Sequence, residues 1–370
     1  MSDNLRRHRA IKEHLLQACP AASSRQRQHL SVLAAIISGI VGSRHANLPA
    51  IAAKVPTPTA TKRESQVKSF YRWLKNDHKQ QDYRVVFAPF AQALLNSLAG
   101  GPLVLVIDGS TIGQGGMALL INVVYKGRAL PIGWLVISAK KGHLAEKYHL
   151  ALLKQVKPLV PAGTEVIFLG DGEFDGCCLL RRLSYYGWHY VCRTAKSSLL
   201  WLGDERTNFA GLAVEPNSLV SVAATAFSKH EYGPVLAIAL WQVGHTEPLY
   251  LVSNLALAEE AVWYYRKRFR IETFFSDSKS RGFRLDKSHL KEPKRLERLL
   301  LAACLAYLWI VYLGTVALVE GWNKVIHRTD RVDLSLFNLG LNLLEYFLNQ
   351  LMPLPAAFIP LDHEDLKCVR

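Results

Sequence analysis

Two aspartates and one glutamate stand in settings that suggest chemistry. Asp108 closes the apolar run "VLVIDG" and Asp171 closes "VIFLGDG". A carboxylate at the mouth of a central strand is held by rigid backbone and still reaches solvent. Two of them on neighbouring strands repel each other unless a cation lies between. Hard divalent cations take oxygen ligands, and Mg²⁺ leaves positions open for phosphate oxygens. Taken singly, each Asp-Gly pair is also an ordinary way to cap a turn.

Glu272 is the lone glutamate of "YYRKRFRIETFFSDSK", Tyr264 to Lys279, a stretch rich in Arg and Lys. On a continuous helix of about 100° per residue, with Tyr265 at zero, Arg268 falls at about −60°, Glu272 at about −20° and Lys279 at about −40°. One narrow face then carries a phenol, a guanidinium, a carboxylate and an ammonium, with Trp263 and Phe274 opposite, suited to packing. Arg and Lys on such a face can hold phosphates, and Glu272 can complete a metal site with the aspartates. The same spacing equally describes a solvated helix with an i,i+4 pair between Arg268 and Glu272.

The elements that must position these residues follow from periodicity. "PLVLVIDGST" and "TEVIFLGDGEF" are continuous apolar runs, the pattern of strands buried on both faces. "MALLINVVYKGRALPIGWLVIS" predicts a hairpin turning at Lys126-Gly127. "LAEKYHLALLKQVKPLV" and "DGCCLLRRLSYYG" predict helices, and "HYVCRTA" a short strand. Short alternating segments from residue 196 to 254 predict a β-rich insertion containing Tyr250 and Trp241. Helices resume and continue to about residue 350, before a Pro-rich and then polar tail.

The chain to about Asn76 reads as helical. "RQRQHLSVLAAIISGIVG" and "ANLPAIAAKV" precede a Pro/Thr turn and a third, basic helix. Its Lys62, Arg63, Lys68, Arg72 and Lys75 intersperse with Phe70, Tyr71 and Trp73, which suits a small DNA-binding bundle as well as a solvated face. A further helix, "YRVVFAPFAQALLNSLAG", ends at Gly100 and Gly101.

The formal net charge of +15 and pI of about 9.6 point first to a nucleic acid partner through phosphate neutralisation. Cys19, Cys177, Cys178, Cys192, Cys304 and Cys368 form no CxxC pair and are expected as reduced thiols, not as a disulfide frame or zinc site. The polar, charged start predicts no secretory signal. The uncharged run Leu299 to Val319 could span a bilayer, or be a helix buried in a large domain, which is the expectation here.

The Tyr-x2-Arg-x3-Glu-x6-Lys spacing of Tyr265, Arg268, Glu272 and Lys279 resembles, without a gap, the signature of IS4-type DDE transposases. "VIDGST", "GDGEFD" and a β-rich insertion between the second aspartate and the glutamate are similar too. The resemblance implies an α/β fold. A ribonuclease-H-like mixed sheet core (79–195 and 255–350, the latter with C-terminal helices) carries the insertion at 196–254. A small helical DNA-binding domain (1–78) precedes it and a tail (351–370) follows.

It implies Asp108, Asp171 and Glu272 as catalytic residues and metal ligands for two Mg²⁺ ions, with Mn²⁺ substituting. Tyr265, Arg268 and Lys279 would contact the DNA of transposon ends. Arg281, Arg284, Lys287 and Lys291 would extend that contact. Lys62, Arg63, Lys68 and Arg72 would bind DNA from the N-terminal domain. The expected partners are double-stranded transposon-end and target DNA and a second copy of the chain in a synaptic homodimer, without a membrane, in a prokaryotic cytoplasm beside the nucleoid. Where family members that cut through a hairpin hold a flipped base with a Trp in the insertion, this chain offers Tyr250, with Trp241 on the preceding strand. The competing readings are a ribonuclease-H-like nuclease or resolvase, a catalytically silent DNA-binding regulator of transposition, and a membrane-anchored DNA-binding protein.

Overall fold

A computed structural model describes residues 2–56, 62–76, 83–139, 144–329 and 333–361. The Pro/Thr turn expected at 57–61, the polar end of the tail and Cys368 lie outside the described residues.

The two aspartates belong to an eight-stranded mixed sheet. Strands β1 (Leu103–Ile112), β2 (Gly116–Tyr125) and β3 (Arg128–Ser138) form an antiparallel meander. Its second turn falls at Lys126-Gly127, with Lys126 in the left-handed region at φ 50°. The β2–β3 register slips beside Asn122, which pairs with Pro131. Proline has no N–H to give the ladder, and a bulge is where a strand accommodates one. Strands β4 (Val166–Gly170) and β5 (His189–Arg193) run parallel to β1 on its other side. Helices α6 (Glu146–Val156) and α7 (Cys177–Tyr185) make the two connections that parallel strands require.

The segment expected as a β-rich insertion divides between two sheets. Strands β8 (Leu219–Ala224), β10 (Val235–Leu240) and β11 (Leu249–Ser253) extend the main sheet beyond β5, giving the order β3-β2-β1-β4-β5-β11-β10-β8. Strands β6 (Leu199–Leu202), β7 (Glu205–Asn208) and β9 (Ala226–Phe227) form a small sheet of their own.

Side-chain alternation sorts the main sheet into two faces. Val104, Val106, Ile167, Leu169, Val191, Ile238 and Leu251 line one, and Ala258, Ala261, Val262, Tyr264 and Tyr265 cover it from helix α8 (Ala258–Tyr265). Leu105, Ile107 and Phe168 turn the other way into the main core. That core is filled by α10 (Pro293–Val319), whose most apolar stretch is long enough to cross a membrane and is 94% buried inside the protein. Helix α12 (Leu336–Asn349) crosses α10 with backbones touching: a Cβ on Gly340 would strike the Ile310 carbonyl oxygen, and one on Gly314 the Leu336 carbonyl oxygen. Short α11 (Asn323–Ile326) lies between them in the chain.

The N-terminal part contains four helices, not three: α1 (Asp3–Ala18), α2 (Ser24–Ser43), α3 (Leu48–Ala53) and α4 (Arg63–Lys75). The first buries only Arg7, Ile11 and Leu15, one residue per turn, a stripe too thin to show in a polar sequence. Ser23 and Gln26 close a capping box at the start of α2. These helices share one core with α10. The Trp73 indole N–H donates to the His29 carbonyl at 3.2 Å, and the buried Arg298 of α10 lies 4.1 Å over the Trp73 ring while donating to the Asn76 carbonyl at 2.6 Å. A π-helical turn (Tyr83–Phe87) and α5 (Ala88–Leu98) lead into β1.

Candidate active site

Asp108 and Asp171 are brought level by strand register. Val106 of β1 pairs with Leu169 of β4 in parallel, so two further residues on each strand end at the aspartates. Parallel neighbours lie about 4.8 Å apart. Alternation from Val104 and Val106, and from Ile167 and Leu169, turns both carboxylates to the face that α8 covers.

Asp108 is not the last residue of its strand, as the sequence suggested. β1 continues antiparallel to β2 as far as Ile112, and Asp108 marks the place where it parts from β4. Its Oδ1 accepts from the Gly109 N–H at 2.7 Å, and Asp171 Oδ1 accepts from the Glu173 N–H at 2.9 Å. Burial and then the Asp171 charge push the Asp108 carboxyl up to about 6; Glu272 adds to this, while the Gly109 N–H and Arg268 oppose it.

Helix α8 stops at Tyr265, and the chain tightens into a 3₁₀ turn (Arg268–Arg270) before α9 (Ile271–Ser278). The single straight helix expected from Tyr264 to Lys279 is therefore broken at Arg268, and Lys279 lies just past the end of α9. Trp263 is not packed as expected but 55% exposed, with the Lys267 ammonium 3.2 Å over its ring; Phe274 is buried.

Arg268 is buried and reaches two carboxylates at once. Its Nη1 lies 3.6 Å from Asp108 Oδ2 and its Nη2 lies 3.7 Å from Glu272 Oε1. Glu272 stands in the first turn of α9 with its side chain 57% exposed. Among the described residues no three His, Cys, Asp or Glu side chains are grouped closely enough to hold a metal ion. The aspartate pair suits a hard divalent cation, being two oxygen donors whose mutual repulsion a cation relieves. Glu272 is turned toward Arg268.

Tyr265 is buried beside this site, and burial pushes its phenol up to about 12. Lys279 Nζ donates to Ser110 Oγ at 2.6 Å, on the strand that carries Asp108. Arg281, Arg284, Lys287 and Lys291 are exposed beyond it. On α4, Lys62, Arg63, Lys68 and Arg72 are all exposed, while Phe70 and Trp73 face inward. Tyr250 and Trp241 are half-buried; the Trp241 indole N–H donates to the His245 carbonyl at 2.9 Å and the Tyr250 ring sits 6.1 Å from Phe209.

Several supporting residues escaped sequence reasoning. Buried Arg128 at the start of β3 pairs with buried Asp277 of α9 and donates to the Tyr307 hydroxyl at 3.3 Å, which fastens the helix of Glu272 to the sheet. Glu173 Oε1 accepts from the Leu144 N–H at 2.6 Å and lies 3.5 Å from His149 Nε2. Glu146 Oε1 accepts from the Leu179 N–H at 2.8 Å at the start of α7. Together α6 and its lead-in hold the loop that follows Asp171. Only Glu173 carried a signal, as an acid within "GDGEFD". Cys19, Cys177, Cys178, Cys192 and Cys304 are free thiols, as expected.

A family model described as "Transposase DDE domain" matches residues 99–309, more than half of the chain. No match is found among curated proteins. Among solved structures, a cryo-EM structure of the piggyBac transposase synaptic complex with hairpin DNA is similar at a TM-score of 0.45 and 10% sequence identity, over 97% of this chain and 84% of that one.

Proposed function

Taking as premise that this chain belongs to the transposase DDE-domain family, and is a metal-dependent DNA transposase, we propose that Asp108, Asp171 and Glu272 are its catalytic carboxylates. One observation carries the reading. Asp108 stands level with Asp171, and the same Arg268 guanidinium that pairs with Asp108 also pairs with Glu272. Residues from three distant parts of the chain meet at one mouth of the sheet.

The aspartates and Glu272 would hold Mg²⁺, with Mn²⁺ able to substitute. Bound there, the metal would activate a water or the 3′-hydroxyl of a DNA end and would stabilise the leaving oxygen at phosphorus. The chain's own residues do the rest. Tyr265, held protonated by burial, would offer its hydroxyl as a donor to a phosphate oxygen. Lys279, steadied by Ser110 on the strand that carries Asp108, would present its ammonium to the DNA. Arg268 offers a planar fork that matches a phosphate. The exposed Lys and Arg of α4 would grip the duplex farther from the chemistry.

The intact Tyr-Arg-Glu-Lys spacing supports an IS4-type transposase. A meander followed by two strands parallel to β1 supports a ribonuclease-H-like core. The domain limits we propose are residues 1–78 for DNA binding, 79–195 and 255–350 for the core with its C-terminal helices, 196–254 as an insertion and 351–370 as a tail. Two transposon ends must be held together, so the working form would be a homodimer, in a prokaryotic cytoplasm beside the nucleoid.

The test is a cleavage and joining assay with the element's own end DNA and Mg²⁺, with Glu272→Gln alongside. End nicking and a joined product, both lost in Glu272→Gln, are expected. Cleavage without joining identifies a nuclease or resolvase, and binding without chemistry in either Mg²⁺ or Mn²⁺ identifies a regulator.

A further inference from the structure

The Arg268 guanidinium stands between the carboxylates of Asp108 and Glu272, at 3.6 and 3.7 Å. Both are longer than the roughly 3.2 Å limit of a good N–H···O bond, so they are charge pairs and not locked hydrogen bonds. The side chain is 10% exposed and its Nε has no acceptor. A desolvated guanidinium with an unmatched N–H is costly unless an acceptor arrives. The Phe269 ring, 4.2 Å from the guanidinium carbon and half exposed, gives it an apolar face along which to move. Arg268 also sits in the 3₁₀ turn between two helices, where the backbone is least regular.

We infer that Arg268 is an internal counter-ion of the carboxylate site, competing with a divalent cation for Asp108 and Glu272, and that it couples metal binding to phosphate binding. The inference rests on the three-carboxylate reading above. A cation that takes those two carboxylates strips the guanidinium of both its partners and repels it. The freed fork then needs oxygen acceptors, and a phosphodiester supplies two in matching geometry. In the other direction, a phosphate that draws Arg268 away leaves Asp108 and Glu272 open to the cation. By linkage the two effects are equal in size. Metal is held weakly without DNA and strongly with it, so cleaving power appears only where a duplex is docked.

The experiment measures Mn²⁺ affinity by calorimetry on the full chain, with and without a duplex of the element's end. The variants are Arg268→Gln, Arg268→Ala, Arg268→Lys and Asp108→Asn. Without DNA, Arg268→Gln and Arg268→Ala should bind Mn²⁺ about tenfold more tightly than the wild type, within the usual range of coupling. Arg268→Lys should stay near the wild type. The duplex should tighten Mn²⁺ binding in the wild type and not in Arg268→Gln. Unchanged or weaker Mn²⁺ binding in whichever neutral variant melts like the wild type overturns the inference, as does coupling that survives in it. If Asp108→Asn binds Mn²⁺ as tightly as the wild type, the carboxylate reading itself fails. If Asp108→Asn loses Mn²⁺ while the Arg268 variants gain none, only the inference fails.

Discussion

Lys279 Nζ donates a hydrogen bond to Ser110 Oγ at 2.6 Å, joining the residue just past α9 to the strand that bears Asp108. The two residues are far apart in sequence. Ser110 thereby ties the ammonium to the strand that carries Asp108. A hydrogen bond to a charged group contributes about 1.5–3 kcal/mol. Ser110→Ala should therefore slow end cleavage by about tenfold. Ser110→Thr, which keeps the hydroxyl, should cleave near the wild-type rate. Equal loss in both variants would mean that packing, and not the hydrogen bond, matters at this position.

The Asp108 carboxyl sets a pH dependence. Its folded value of about 6 lies above the ordinary 3.8, first because of burial and second because of Asp171. The folded chain thus holds a proton that the unfolded chain releases between those values. That contribution to stability is complete below about pH 4 and is lost as pH rises through about 6. A divalent cation reverses the preference, since only the carboxylate binds it. The rise in melting temperature on adding Mn²⁺ should be small at pH 5 and full above pH 7. In Asp108→Asn the Mn²⁺ increment should vanish at every pH. An increment independent of pH in the wild type would place the metal elsewhere.

These carboxylates were legible because each aspartate closes an apolar run and Glu272 stands alone among cations. Their meeting was not legible, because parallel register between β1 and β4 depends on chain far from either residue. The Tyr-Arg-Glu-Lys spacing picks out four side chains, but the uniform helix that spacing suggests is broken at Arg268. Lys279 reaches Ser110 from beyond the helix end, so its place could not follow from an angle per residue. Alternating segments at 219–253 announced strands, yet only long-range pairing shows that they lengthen the main sheet. Arg128 and Asp277 were invisible as partners, since nothing local marks a charged residue for burial.

That buried pair should matter for stability before it matters for chemistry. Removing one member leaves the other charged and desolvated, at a cost of about 3–5 kcal/mol. Asp277→Ala should lower the denaturant midpoint strongly, and Arg128→Met with Asp277→Leu together should recover much of the loss. The measurement is urea unfolding of the single and double variants. A double variant no better than the singles would show that the pair gains more from its setting, including the Tyr307 hydroxyl, than an apolar replacement can supply.

The basic face of α4 makes a different kind of prediction, because it lies away from the carboxylates. Lys62, Arg63, Lys68 and Arg72 are exposed while Phe70, Trp73 and Leu74 anchor the helix to the core. Replacing exposed side chains on an anchored helix should leave the fold intact. Each phosphate contact releases condensed counterion and adds about 0.9 to the slope of log affinity against log salt. Lys68→Ala and Arg72→Ala should each reduce that slope by about one and weaken all duplexes alike. Cleavage of DNA already bound, measured at saturating protein, should keep the wild-type rate. A slope that does not change would make these residues a solvated face, and a rate that falls at saturation would bring α4 into the active site.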